Sequence, residues 1–89
     1  MTMISRKITY QGQLDAASAE TVFDIARRIE ITGEIKFVTP NKLELDLEGD
    51  PSMIKLVQHQ VERSLKSQVQ SKEVVTIPFK NYRGLDLFR

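Results

Sequence analysis

The segment Leu43–Gly49 limits the possible folds of this chain most strongly, because three leucines alternate with three acidic residues. The leucines are Leu43, Leu45 and Leu47, and the acidic residues are Glu44, Asp46 and Glu48. Strict alternation predicts a β-strand whose two faces differ. We expect the leucine face to pack in a core and the acidic face to meet water, so other elements must cover the leucines.

Periodicity predicts six further elements around this strand. In chain order they are a strand over 4–11, a helix from Ala19 that stops at Gly33, a strand over 34–39, a helix from Pro51, a strand over 73–79 and a short strand over 85–88. Residues 67–72 read as a polar connection. Pro78 has no N–H to donate, so the part of the strand that contains it is expected at an edge of the sheet or at a bulge.

Short polar segments predict how these elements begin and turn. Asp15 or Ser18 can cap the first helix, and Asp50 can cap the second with Pro51 at its first position. Residues 39–42 predict a hairpin turn in which Asn41 takes a left-handed conformation.

The order β-α-β-β-α-β with one extra strand predicts an α+β, ferredoxin-like sandwich. We expect an antiparallel sheet with both helices on one face and a single domain over 1–89. Helix and sheet then bury one shared core, which suits a chain of this length.

Composition excludes several functions. The chain has no cysteine and one histidine, His59, so thiolate chemistry and multi-histidine metal sites are excluded, and no metal or cofactor is expected. The net charge is +1, and the acidic row on the third strand disfavours nucleic acid. No apolar run approaches the roughly 20 residues that span a bilayer, so we expect a cytoplasmic protein without membrane contact.

Several motifs, in order along residues 7–88, resemble the acylphosphatases, small enzymes that hydrolyse carboxyl-phosphate anhydrides. They are Ile29-Glu30-Ile31-Thr32-Gly33 at the end of the first helix, the hairpin from Gly33 to Leu43, Gly49-Asp50-Pro51 before the second helix, and Tyr82 near the end. The resemblance implies the same sandwich fold and a phosphate loop after the first strand.

The catalytic positions of that family hold different residues here. The family loop resembles V-Q-G-V-G-F-R, and its arginine holds the phosphate. Counting back from Gly33 places Ala19 at the arginine position, and counting forward from Gly12 places Glu20 there. The catalytic asparagine position holds Phe37. An alanine or a carboxylate cannot replace a bidentate guanidinium.

The sequence therefore predicts a vestigial anion loop and no catalytic residue. The loop candidates are Gly12, Gln13, Leu14, Asp15, Ala16, Ala17, Ser18, Ala19 and Glu20. The expected function is a small binding or interaction module for an unknown ligand or protein partner, as a monomer or a weak edge-strand dimer. The alternative is a hydrolase of carboxyl-phosphate bonds with a rearranged site, in which Asp15 or Glu20 acts as a base.

Overall fold

The computed structural model describes residues 2–88, which form five strands and two helices. In chain order these are β1 (Ile4–Gly12), α1 (Ala16–Ala26), β2 (Thr32–Val38), β3 (Lys42–Gly49), α2 (Pro51–Ser64), β4 (Val69–Ile77) and β5 (Leu85–Phe88). The predicted α+β, ferredoxin-like order is confirmed.

The five strands form one sheet in the order β4-β1-β3-β2-β5. Neighbouring strands are antiparallel from β4 to β2, whereas β5 runs parallel to β2, so the sheet is mixed rather than antiparallel throughout. The chain leaves β4 at one edge and crosses to the other edge at the same end of the sheet. β5 therefore runs opposite to β4, which is the direction of β2.

The leucine face of β3 packs in the core, as its alternation predicts. Leu43, Leu45 and Leu47 are fully buried together with Ile8 and Tyr10 of the neighbouring β1. The helices cover this face with Val22 of α1 and with Ile54, Val57 and Val61 of α2, all fully buried. Their spacing of three and four residues places the α2 side chains on one helical stripe.

The acidic face of β3 does not meet water as predicted. Asp46 is 8% exposed and Glu48 is 2% exposed. The connection between β4 and β5 lies over them, because residues 80–82 donate hydrogen bonds to Glu48. Only Glu44, which lies nearer the hairpin, keeps the partly exposed position that the alternation suggests.

Gly33 does not end α1, contrary to its predicted role. The helix ends at Ala26, and Gly33 lies inside β2 with a φ of +142°. A Cβ at this position would overlap the backbone carbonyl of Asp46 on β3, so only glycine allows the two strands to approach so closely.

Two further predictions, one on a turn and one on a strand, are corrected. The hairpin after β2 contains a cis Thr39–Pro40 bond, and Asn41 has no positive φ; within residues 2–88, the non-glycine residue with a positive φ is Asn81. β4 begins at Val69, inside the predicted polar connection. It lies at an edge of the sheet, as Pro78 predicts, but it ends at Ile77 rather than at Phe79, so Pro78 lies outside the strand.

Candidate functional site at the start of the first helix

The predicted anion loop joins β1 to α1 and is closed by backbone contacts. Gly12 has a φ of +158°, and a Cβ there would overlap the carbonyl of Gln68, so the close approach requires glycine. The N–H of Gln13 donates to the Gln68 carbonyl at 2.8 Å. The N–H of Leu14 donates to the Gly12 carbonyl at 2.9 Å, and its side chain is buried. These two N–H groups therefore already have protein acceptors.

Asp15 occupies the helix N-terminus with its own carboxylate. Its Oδ1 accepts from the N–H of Ser18 at 3.0 Å and from the Ser18 hydroxyl at 3.1 Å. The Asp15 N–H donates to Ser18 Oγ at 3.3 Å, which completes a capping box. Of the two predicted caps, Asp15 is the N-cap and Ser18 is its reciprocal partner.

The helix residues that follow supply no cation to the loop. Ala16 is half-buried and Ala17 is exposed. Ala19, one candidate for the arginine position, is fully buried in the core, and Glu20, the other, is exposed. None of residues 12–20 is basic.

Phe37, which the sequence predicts at the asparagine position of the acylphosphatases, faces the core. It is half-buried, packs against the core cluster and lies opposite Leu43 in the β2–β3 ladder. An apolar ring here cannot orient a water molecule by hydrogen bonding.

A second polar site, which the sequence did not predict, surrounds Glu48. Its carboxylate accepts from the Ser5 hydroxyl and from the N–H groups of Lys80, Asn81 and Tyr82, the last two at 3.0 and 2.7 Å. Burial alone would raise the pKa of Glu48, but these four donors outweigh it and hold the pKa below its usual value. Three of the donors are backbone N–H groups. Because every residue except proline has one, the residue types do not reveal this site.

Asp46 lies beside Glu48 under the same connection. Its Oδ2 accepts from the Tyr82 hydroxyl at 3.1 Å and lies 3.6 Å from Lys80 Nζ. Within residues 2–88, its Oδ1 is buried without a hydrogen-bond partner. Burial, and next the hydrogen bond to Asp46, raise the pKa of Tyr82. The two acidic residues thus attach the connection to the sheet.

A third polar contact links β1, α2 and β4. The hydroxyl of the fully buried Tyr10 donates to Glu62 Oε2 at 2.9 Å, and Lys72 Nζ donates to Glu62 Oε1 at 2.8 Å. Burial, and next the hydrogen bond to Glu62, raise the pKa of Tyr10. The hydrogen bond to Glu62 gives a partner to the hydroxyl of Tyr10, which is the one polar group of the largest side chain in the core.

The described residues contain no group of three or more histidine, cysteine, aspartate or glutamate side chains that could hold a metal ion. Within residues 2–88, no helix has both the length and the apolar character that a membrane crossing requires.

The fold that these elements define is the acylphosphatase-like α+β sandwich. An acylphosphatase from Coxiella burnetii superposes with a TM-score of 0.82 at 16% identity, over 96% of this chain and 92% of that one. An acylphosphatase from Bacillus subtilis gives 0.80 at 16% identity, over 97% and 98% of the two chains. In T. kodakarensis HypF the match has a TM-score of 0.80 at 19% identity and covers 97% of this chain but 12% of HypF.

Comparison of the sequence with protein-family models and with characterised proteins gives no match. At such low identities, the structural likeness establishes the shared fold, and function has to be argued from the site.

Proposed function

We propose that this chain is an acylphosphatase-like binding module that does not hydrolyse acyl phosphates. The observation that carries the proposal is the capping of α1 by Asp15, whose carboxylate accepts the Ser18 N–H where an anion would bind. A helix N-terminus attracts anions through free N–H groups and its dipole, and an internal carboxylate competes for both.

The residues around the cap support the same conclusion. Phosphoryl-group hydrolysis depends on positive charge for the phosphate oxygens and on a positioned water. Here the candidate positions hold Ala19 or Glu20 in place of arginine and Phe37 in place of asparagine. Loss of one such transition-state contact costs on the order of 10²–10³ in rate, so loss of both leaves little catalysis.

Hydrolysis of benzoyl phosphate, followed by its ultraviolet absorbance, tests this proposal. We expect no rate above that of buffer, with a catalytically active acylphosphatase as the assay control. Saturable turnover by the wild-type chain that disappears in Asp15→Asn or Glu20→Gln would instead establish the rearranged hydrolase. Circular dichroism of each variant shows whether a lost rate reflects lost folding.

Titration with inorganic phosphate, observed through amide NMR shifts, tests the loop separately. We expect no saturable shift among residues 13–20, because the described contacts already provide acceptors for several of these N–H groups. Saturable shifts confined to these residues would contradict the proposal that the anion site is vestigial.

A further inference from the structure

The outer edge of β4 is long and uncovered. β4 has nine residues, lies at the edge of the sheet and, among residues 2–88, pairs only with β1. Its residues from Gln70 to Thr76 are all exposed. Val74 and Val75 are 41% and 46% exposed, and as neighbours in a strand they point to opposite faces. Both faces of the edge therefore present apolar surface beside unpaired backbone groups.

β4 has few of the charged side chains that commonly prevent an edge strand from pairing with another chain. Natural edge strands commonly carry charged side chains, especially lysine, that prevent pairing with another chain. β4 contains two charged residues, Lys72 and Glu73. Lys72 Nζ is 2.8 Å from Glu62 Oε1 of α2, so the ammonium is bound to its own helix layer. Of the two charged residues of β4, Glu73 is the one that does not take part in this contact with Glu62.

We propose that β4 pairs antiparallel with β4 of a second copy of this chain, so that Val74 lies opposite the partner's Val74. The pairing joins two five-stranded sheets into one continuous sheet with all helices on the same side. The inference rests on the edge of the sheet alone and does not depend on the proposed loss of hydrolysis.

The positions of the charges select this register. Pairing centred on Glu73 or on Lys72 would place that residue opposite its own copy, and like charges directly opposite are unfavourable. Pairing centred on Val75 would place Pro78, which has no N–H to donate, opposite Lys72, whereas pairing centred on Val74 places Pro78 opposite Gln70, beyond the paired residues 71–77. Pairing centred on Val74 joins residues 71–77 with no like charges facing each other.

The charge of the whole chain and the size of the edge fit a weak dimer. A net charge of +1 gives two copies little mutual repulsion. A single strand pair is smaller than a standard interface of about 1,600 Å², so association should depend on concentration.

Cross-linking of single cysteines tests the register, because the chain has no cysteine of its own. Opposite residues of paired strands have Cβ atoms about 5 Å apart, within reach of a short bifunctional maleimide. We expect Val74→Cys to form covalent dimers at least about ten-fold faster than Leu56→Cys, a control on α2 with 40% exposure. Equal rates would overturn the proposal.

Sedimentation equilibrium tests the association itself. We expect a concentration-dependent rise toward twice the chain mass for the wild type, and an association constant at least about ten-fold weaker for Val74→Lys. Leu56→Lys should associate like the wild type. A wild type that stays monomeric at millimolar concentration, or equal effects of the two substitutions, would overturn the proposal. If Val74→Lys fails to fold, the cysteine experiment and the wild-type measurement still decide it.

Discussion

At the scale of single residues, the side chain of Glu48 attaches the whole connection between β4 and β5 to the sheet. One carboxylate on the central strand β3 receives hydrogen bonds from Ser5 on β1 and from three consecutive backbone N–H groups of residues 80–82. The connection to β5 therefore depends on a group that is itself buried. Burial of a charge is tolerated only when such donors replace water.

Replacement of Glu48 by glutamine should destabilise the fold. The amide has no charge, and its NH₂ group would face N–H donors, which leaves buried donors without acceptors. We expect the free energy of unfolding to fall by about 2–3 kcal/mol, the range for hydrogen bonds to a charged group. Urea denaturation measures the change. Glu44→Gln on the same face is the control, because Glu44 has one weak contact, 4.0 Å from Lys7, and should change stability little.

The lowered pKa of Glu48 predicts acid sensitivity with a definite sign. Because the folded pKa lies below the unfolded value of about 4.3, ionised Glu48 stabilises the fold fully above that pH. This contribution is lost as the pH falls through the folded pKa. The stability difference between wild type and Glu48→Gln should therefore shrink as the pH falls from about 5 into the range below the unfolded pKa. A difference that stays constant over this interval would contradict the assignment.

The leucines of β3 show what alternation can predict, and Glu48 shows its limit. Period two correctly placed Leu43, Leu45 and Leu47 in the core. It could not show that Glu48 is covered, because alternation determines which face a side chain occupies and not what lies on that face. The cover comes from residues 32 to 34 positions further along the chain.

At the scale of elements, the capping of α1 by Asp15 allows the proposed loss of anion binding to be tested. Asp15→Ala should lower the free energy of unfolding by about 1 kcal/mol, the usual cost of a lost N-cap. It should also remove the negative charge from the helix N-terminus and leave the Ser18 N–H with one acceptor, the Asp15 carbonyl at 3.1 Å. Inorganic phosphate should then produce NMR shifts at residues 16–19 that the wild type lacks.

Asp50→Ala is the matched control for this prediction. Asp50 caps α2 by accepting from the Ser52 N–H at 2.8 Å, so its loss should destabilise the protein without phosphate shifts in the α1 loop. Shifts in that loop for both variants, or for neither, would show that Asp15 does not block the anion site.

Boundaries of elements were harder to predict than their order. Gly33 reads as a helix stop, but the helix ends seven residues earlier and the glycine serves the contact of β2 with β3. Residues 69–72 read as a connection because an edge strand exposed on both faces needs no apolar alternation. In both cases a tertiary contact, which short-range patterns do not contain, decided the outcome.

At the scale of the whole molecule, pairing predicts a gradient of stability across the sheet. β1 and β3 have partners on both sides, whereas β5 pairs on one side over four residues. Amide hydrogen exchange should be slowest in β1 and β3 and faster in β5, which can open without exposing the central core. Equal protection of β5 and β3 would show that β5 opens only when the whole protein unfolds, because the connection over Glu48 holds it in place.

The fold of the whole chain could be predicted far more completely than the site. Periodicity predicted the ferredoxin-like sandwich, and the resemblance of four motifs to the acylphosphatases implied the same fold, which structures at 16% identity share. For the loop, the sequence predicted that residues 12–20 lack the phosphate-binding arginine of the acylphosphatases. The capping box of Asp15 with Ser18 required the structure, because either residue could have been the cap.

The use of backbone donors at Glu48 has a consequence for how related sequences should vary. A carboxylate that recognises N–H groups does not depend on the side chains of residues 80 and 82 for those bonds, so these positions can change to any residue except proline. Position 81, with a φ of 59°, favours asparagine or glycine. Distant relatives that keep this attachment should therefore preserve the acidic residue at position 48 more strictly than the side chains at positions 80 and 82, whose contacts are with Asp46.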